Sequence, residues 1–134
     1  MRRAAIACLV AFLAVLLLAP SVSGAPSGPV QASIAPQATL VDDGRAVLVS
    51  VTVSCAGGSD VLEAFVYVTQ DGQQSPFTPI SIRCGGQSRT YTVRVPAPEG
   101  TTFHAGTASA SGYVLVDKKG TVSSASPSQT LAIS

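Results

Sequence analysis

Apolar residues recur at every second position through most of the chain beyond residue 30, and clusters of turn residues separate the runs. This period of two is typical of half-buried β-strands. In the clearest run, from Val47 to Cys55, four valines and the cysteine share one face, whereas Leu48 and small hydroxyl residues share the other. The pattern therefore predicts a β protein, and no segment beyond the N-terminal region has the period of a helix.

Seven strands are predicted from this pattern. They cover about residues 31–41, 47–55, 61–70, 80–84, 89–95 and 103–116, and a seventh strand ends at Ile133. Pro36 should place the first strand at a sheet edge or at a switch between sheets, because proline cannot donate to a ladder. Seven short strands in about 100 residues favour an immunoglobulin-like antiparallel β-sandwich.

Two further expectations concern the third strand and the connection that follows it. On the third strand, Leu62, Ala64, Val66 and Val68 are expected to share one face. The connection from Gln73 to Pro79 is expected to be irregular. Both faces of the third strand carry apolar groups, so we expect it to be a central strand.

Residues 1–24 have the composition of an export signal. Two arginines follow Met1, and the apolar run that comes next, residues 4–19, is shorter than the roughly 20 residues that span a bilayer as a helix. Small residues predict cleavage after Gly24, since cleavage after Ala25 would place Pro26 directly behind the scissile bond. The protein is therefore expected to be secreted.

After cleavage, residues 25–30 are predicted to form a disordered tail and residues 31–134 a single domain. The signal contains two of the eight basic residues and none of the seven acidic ones, so the mature chain has a net charge of −1. Such scattered, nearly balanced charges form no basic patch that would attract nucleic acid or an anionic membrane. We expect no stable membrane insertion after cleavage; Cys8 lies in the apolar run and is discarded with the signal.

Cys55 and Cys84 end the predicted second and fourth strands. In an oxidising compartment such a pair is expected to form a structural disulfide. The bridge of antibody domains joins strands B and F beside a tryptophan, but this chain has no tryptophan and a shorter cysteine spacing, so the bridge should join loops at one pole. The alternative is a reactive or zinc-binding thiol pair, which would need two further ligands in a chain with one histidine.

The sequence does not contain the residue combinations that catalysis requires. His104 is the only histidine, and its position beside Phe103 predicts a partly buried structural role. No Gly-x-Ser-x-Gly motif is present, and the carboxylates lie in turns or on exposed faces. We therefore expect no enzymatic activity and assign no catalytic, cofactor-binding or metal-binding residue.

Binding is the remaining class of function, and the loops after Cys55 and Cys84 and the turn before the seventh strand should meet at one pole. The candidate binding residues are Gly57, Gly58, Ser59, Asp60, Gly85, Gly86, Gln87, Lys118 and Lys119. The alternative is that these loops are small turns without a partner. Phe77 could be an exposed anchor, but we expect it to close the edge of the core. Because the tyrosines lie on different strands, we expect no flat aromatic platform.

Four segments carry a resemblance to a known family: the valine-rich strand before Cys55, the Cys-Gly-Gly of residues 84–86, the Thr-Tyr-Thr-Val-Arg-Val of residues 90–95 and the Phe-His-Ala-Gly-Thr-Ala of residues 103–108. Together they resemble the small secreted immunoglobulin-like domains of actinobacteria, over most of the mature chain. That family has no assigned activity, so the resemblance implies fold and export only.

The sequence thus predicts a secreted, non-catalytic module that binds an unidentified protein or cell-surface partner through the loops at one pole. The alternative is an extracellular small-molecule carrier, since the chain is also similar in size, export and fold to the enediyne-binding apoproteins. Those proteins carry two disulfides and a ligand cleft, whereas this mature chain has cysteines for one disulfide.

Overall fold

The structure, a computed structural model, describes residues 29–134, so the predicted signal peptide and most of the predicted tail lie outside the described residues. The described residues form ten strands and one turn of 3₁₀ helix, Asp42–Gly44. The strands are β1 (Val30–Ile34), β2 (Gln37–Val41), β3 (Ala46–Cys55), β4 (Asp60–Gln70), β5 (Gln73–Gln74), β6 (Thr78–Pro79), β7 (Arg89–Pro96), β8 (Gly106–Lys118), β9 (Thr121–Ala125) and β10 (Ser128–Ile133). The predicted β class is confirmed.

The sheet consists of two halves, each with one long central strand. In the β3 half, β1 and β2 pair with one edge of β3, and β7 pairs with the other. In the β8 half, β4 pairs with one edge of β8 and β9 and β10 with the other, while β5 and β6 flank β4. A parallel pairing of β2 with β10 joins the halves into one ten-stranded sheet. The prediction of purely antiparallel pairing is therefore wrong at this junction.

The strand count differs from the predicted seven for identifiable reasons. The first predicted strand is divided at Pro36 into β1 and β2, and the seventh is divided near Pro127 into β9 and β10. Two short strands, β5 and β6, occupy the connection that was expected to be irregular. The predicted fourth strand, residues 80–84, is absent: this segment alternates in sequence but forms no ladder.

The two halves enclose one hydrophobic core. The alternate residues of β3 that begin with Val47 and end with Cys55 are 0–3% exposed, as their pattern predicts. They pack in the same cluster with Val66 and Val68 of β4 and with Val114 of β8. Burial of a valine side chain contributes about 1.5 to 3 kcal/mol, so these strands contribute much of the stability.

Leu62 does not share the buried face of Val66 and Val68, contrary to prediction. It is 55% exposed because β4 shifts register between Val61 and Glu63, and Leu62 is the additional residue of this β-bulge. The bulge lets Val61 pack against the core while Val66 and Val68 remain buried further along the strand. A strict alternation cannot predict the face of a residue that precedes or occupies such a bulge.

Gly44 is required where the 3₁₀ turn meets the loop before β8. Its φ of +83° is left-handed, and an added Cβ would overlap the carbonyl oxygen of Phe103. Gly58 has a similar φ of +81°, but its added Cβ would meet nothing within 4 Å. Substitution of either glycine would therefore strain the backbone, but only substitution of Gly44 would also cause a steric clash.

We expect Gly44→Ala to lower the free energy of unfolding by about 3 kcal/mol, because the left-handed strain and the backbone clash add. Gly58→Ala should cost about 1 to 2 kcal/mol, which is the strain alone. Urea denaturation of both variants measures the difference. Equal losses would show that the contact between Gly44 and Phe103 does not constrain the fold.

Candidate functional site

A disulfide joins Cys55 and Cys84, as predicted. The sulfur atoms are 2.01 Å apart and the Cα atoms 4.9 Å apart. Cys55 is the last residue of β3, but Cys84 lies in the irregular segment before β7 and does not end a strand. The bridge therefore fastens the end of β3 to a loop at one end of the domain.

The nine candidate binding residues lie at this end, which we call the disulfide pole. The loop after Cys55 leads to Asp60, which pairs with Asp117 beside the turn that contains Lys118 and Lys119. The Gly86 amide donates a hydrogen bond of 2.9 Å to the carbonyl of Cys55, which holds the third loop there. These loops consist mainly of glycine, serine and charged residues, and they present no aromatic ring.

A second surface feature lies on the outer face of the β8 half. Phe65 and Tyr113 are opposite each other on β4 and β8, with ring centroids 5.9 Å apart. Phe77 stacks on Phe65 at 4.7 Å with an angle of 19° between the rings, and it lies 5.1 Å from Tyr67. We call Phe65, Tyr67, Phe77 and Tyr113 the aromatic cluster.

Phe77 is the exposed member of the aromatic cluster. It is 58% exposed, so the expectation that it closes the edge of the core is wrong. Such a large apolar side chain on the surface, stacked on other rings, resembles the aromatic anchors of protein interfaces. Tyrosines that the sequence places on different strands are brought together here, although Tyr91 lies outside the aromatic cluster.

The loop that carries Phe77 is held in place by hydrogen bonds of Ser75, which is buried, with only 2% of its surface exposed. The Ser75 side chain accepts a hydrogen bond of 2.9 Å from the Val68 amide and donates one to the carbonyl of Pro76. The Ser75 amide in turn donates to the carbonyl of Val68 at 2.8 Å. With Pro76 before it and β6 after it, Phe77 is held in place before any partner arrives, which lowers the entropic cost of binding.

His104 lies at the opposite end of the domain and is exposed, not partly buried as predicted. Its Nε2 is 2.5 Å from Oδ2 of Asp71, and its Nδ1 is 2.9 Å from the carbonyl oxygen of Ala105. The hydrogen bond to Asp71, followed by the one to Ala105, raises the pKa of His104 above its usual value of about 6.5. Both ring nitrogens are thus engaged, and neither contacts a hydroxyl nucleophile.

Buried Gln70 fixes the backbone around His104. Gln70 is 5% exposed. Its side-chain nitrogen donates a hydrogen bond of 3.0 Å to the carbonyl of His104, and its side-chain oxygen accepts one of 3.0 Å from the His104 amide. Beside it, a groove of about 200 Å³ runs between β4 and the loop that ends at Phe103. The paired amide hydrogen bonds thus hold the backbone of His104 in place while its side chain is exposed.

Residues 29–134 contain neither a cluster of metal-ligating side chains nor a helix that could span a membrane. No three His, Cys, Asp or Glu residues there are grouped so that they could hold a metal ion. In the same part of the chain, no helix has the length and hydrophobicity needed to cross a membrane.

Comparison with models of known protein families gave no match, and neither did comparison with curated protein sequences.

Removal of the disulfide should destabilise the domain. The cysteines are 29 residues apart, and closing a loop of that length stabilises a fold by about 3 to 4 kcal/mol in the chain-entropy model. We expect the C55A/C84A variant to lose about this much free energy of unfolding in urea denaturation. A loss below about 1 kcal/mol would mean that the reduced, unfolded chain is already constrained.

The pKa of His104 gives a pH-dependent prediction. Because the folded pKa is above the unfolded one, the contact with Asp71 stabilises the fold fully below about pH 6.5, and this stabilisation is lost as the pH rises through the folded pKa. In an NMR titration of the single imidazole, Asp71→Asn should lower the pKa of His104 towards 6.5. Asp60→Asn, at the disulfide pole, should leave it unchanged; equal pKa values in all three proteins would contradict the assignment.

Proposed function

We propose that the protein is an exported, non-catalytic binding module with an immunoglobulin-like β-sandwich, and that it contacts a protein partner, free or on a cell surface, through the aromatic cluster. The sandwich is supported by two sheet halves that bury facing residues in one core. Export is supported by the signal-like residues 1–24 and by the disulfide, a bond typical of oxidising compartments.

The exposed, stacked position of Phe77 is the observation that carries the proposed contact surface. Aromatic side chains dominate the energy of many protein interfaces, particularly where a rigid ring is surrounded by other apolar groups. Phe77 meets both conditions, since Phe65 and Tyr67 lie beneath and beside it and Ser75 anchors its loop. The loops of the disulfide pole offer no comparable side chain, so we regard them as a secondary contact.

Small-molecule carriage, the alternative function, would require an enclosed apolar cavity. Three grooves of residues 29–134, with volumes of about 160, 200 and 350 Å³, are open to the surface. No observation in the structure favours carriage over binding, and we do not propose it.

The test compares two exposed apolar residues with nearly equal exposure. Proteins are captured from secreted and cell-surface fractions on immobilised wild-type protein, Phe77→Ser and Leu62→Ser. The affinity of each of the three for the purified partner is then measured. Phe77→Ser should weaken binding by about 2 kcal/mol or more, as for an interface anchor. Leu62→Ser, which removes a side chain that is 55% exposed compared with 58% for Phe77, should have little effect.

A third variant, K118A/K119A, distinguishes the two surfaces. Loss of binding in this variant with full retention in Phe77→Ser would place the contact at the disulfide pole and overturn the aromatic surface. Thermal unfolding of each variant checks that the fold is retained, because loss of a stacked aromatic pair alone should cost only about 0.5 to 1.5 kcal/mol.

A further inference from the structure

The outer edge of β7 is not paired with any strand among residues 29–134. Its ladder is formed only with β3, on the other edge. The sequence predicts a strand at residues 80–84 that could have covered this edge, but that segment is irregular and makes no backbone hydrogen bond to β7. An uncovered strand edge presents free amides and carbonyls that can pair with another chain.

The register identifies which groups of β7 are free. The Ala97 amide donates a hydrogen bond of 2.7 Å to the carbonyl of Arg45, just beyond the end of the β3–β7 ladder. In an antiparallel pair, hydrogen-bonded and non-hydrogen-bonded positions alternate. The backbone groups of Thr90, Thr92 and Arg94 therefore point away from β3, towards the outer edge. All three residues are exposed.

A groove of about 350 Å³ lies beside this edge. One wall consists of residues 91–94 of β7, and the other consists of residues 78–81, which include β6. From Thr90 to Arg94 the edge extends about 13 Å at the usual rise of a strand. This length matches about five residues of an extended chain.

The charges near the groove are positive. Arg89 begins β7, and Arg83 lies close by, since its amide donates a hydrogen bond of 3.1 Å to the hydroxyl of Tyr91. Neither arginine forms a salt bridge with a carboxylate of residues 29–134, whereas Arg94 is paired with Asp42. Two arginines without a carboxylate partner near one end of the edge favour a negatively charged partner.

We propose that the outer edge of β7 binds an extended acidic polypeptide segment, which adds a strand to the β3 half. Main-chain hydrogen bonds with Thr92 and its neighbours supply affinity, as in other cases of strand addition, and Arg83 and Arg89 select acidic side chains. Antiparallel pairing with the same edge of a second copy is less favourable, because it would leave the arginines of both copies without an acidic partner. The site adjoins the aromatic cluster at Thr78 but uses none of its side chains, and it goes beyond the function proposed for that cluster.

The test uses a blocked eight-residue peptide that alternates valine and glutamate, and a second peptide with lysine in place of glutamate. Binding is measured by titration calorimetry in low salt, and the binding site by hydrogen exchange of the backbone amides. We expect saturable binding of the acidic peptide only, with slower exchange at Thr92 and Arg94. Binding should weaken as salt is added.

Variants separate the main-chain contribution from the charge contribution. Thr92→Pro removes the free amide at an edge position that tolerates proline, and it should weaken binding about tenfold, whereas Thr92→Ala keeps the amide and should bind normally. R83A/R89A should weaken binding about tenfold in low salt. Arg45→Ala is the matched control for a lost surface arginine and should bind as the wild type does.

The proposal is overturned by any of three results: no saturable binding of the acidic peptide, equal binding of the lysine peptide, or full binding by folded Thr92→Pro. If Thr92→Pro does not fold, the test rests on hydrogen exchange of the Thr92 and Arg94 amides in the wild type. Exchange that is unchanged when the acidic peptide is added overturns the proposal. Phe77→Ser should bind the peptide normally, so that failure of this site and failure of the aromatic surface give different results.

Discussion

The burial of one face of β3 is the interaction on which the rest of the structure depends. This strand pairs on both edges, with β1 and β2 on one side and β7 on the other, and its inward residues are almost inaccessible to solvent. Because every second residue is buried, a shift of register by one position would turn all the valines outward. The positions of β1, β2, β7 and the disulfide follow from this constraint.

The surfaces with functional potential lie where this central packing ends. On the β8 half, the inward residues of β4 and β8 complete the core, so Phe65, Tyr67 and Tyr113 must occupy the opposite face, where Phe77 joins them. On the β3 half, β7 is the last strand and its outer edge has no ladder. One surface offers rigid apolar rings and the other offers main-chain groups beside positive charge, so the two would select different partners.

Local alternation was sufficient to predict β3, most of β4 and β7, because each of these strands buries one face. The disulfide was predicted from the two cysteines and the expected export, since cysteines pair in oxidising compartments. Alternation failed where pairing partners decide the outcome. Residues 80–84 alternate but pair with no strand, and the bulge at Leu62 changes which face a residue occupies. The aromatic cluster requires β4 to lie next to β8, which are far apart in sequence, so strand order had to be known before Tyr67 and Tyr113 could be brought together.

The parallel pairing of β2 with β10 has a mechanical consequence. The described chain starts beside Cys55, at the disulfide pole, and ends at Ser134, at the other end of the domain. Tension between the two termini would therefore act along the β2–β10 ladder in shear. Its hydrogen bonds, including those from Leu40 to Ser134 at 2.9 Å and from Ser134 to Ala38 at 3.1 Å, would have to break together and not one after another. A parallel ladder loaded in this way resists separation of the ends of the described chain better than a ladder whose hydrogen bonds open singly.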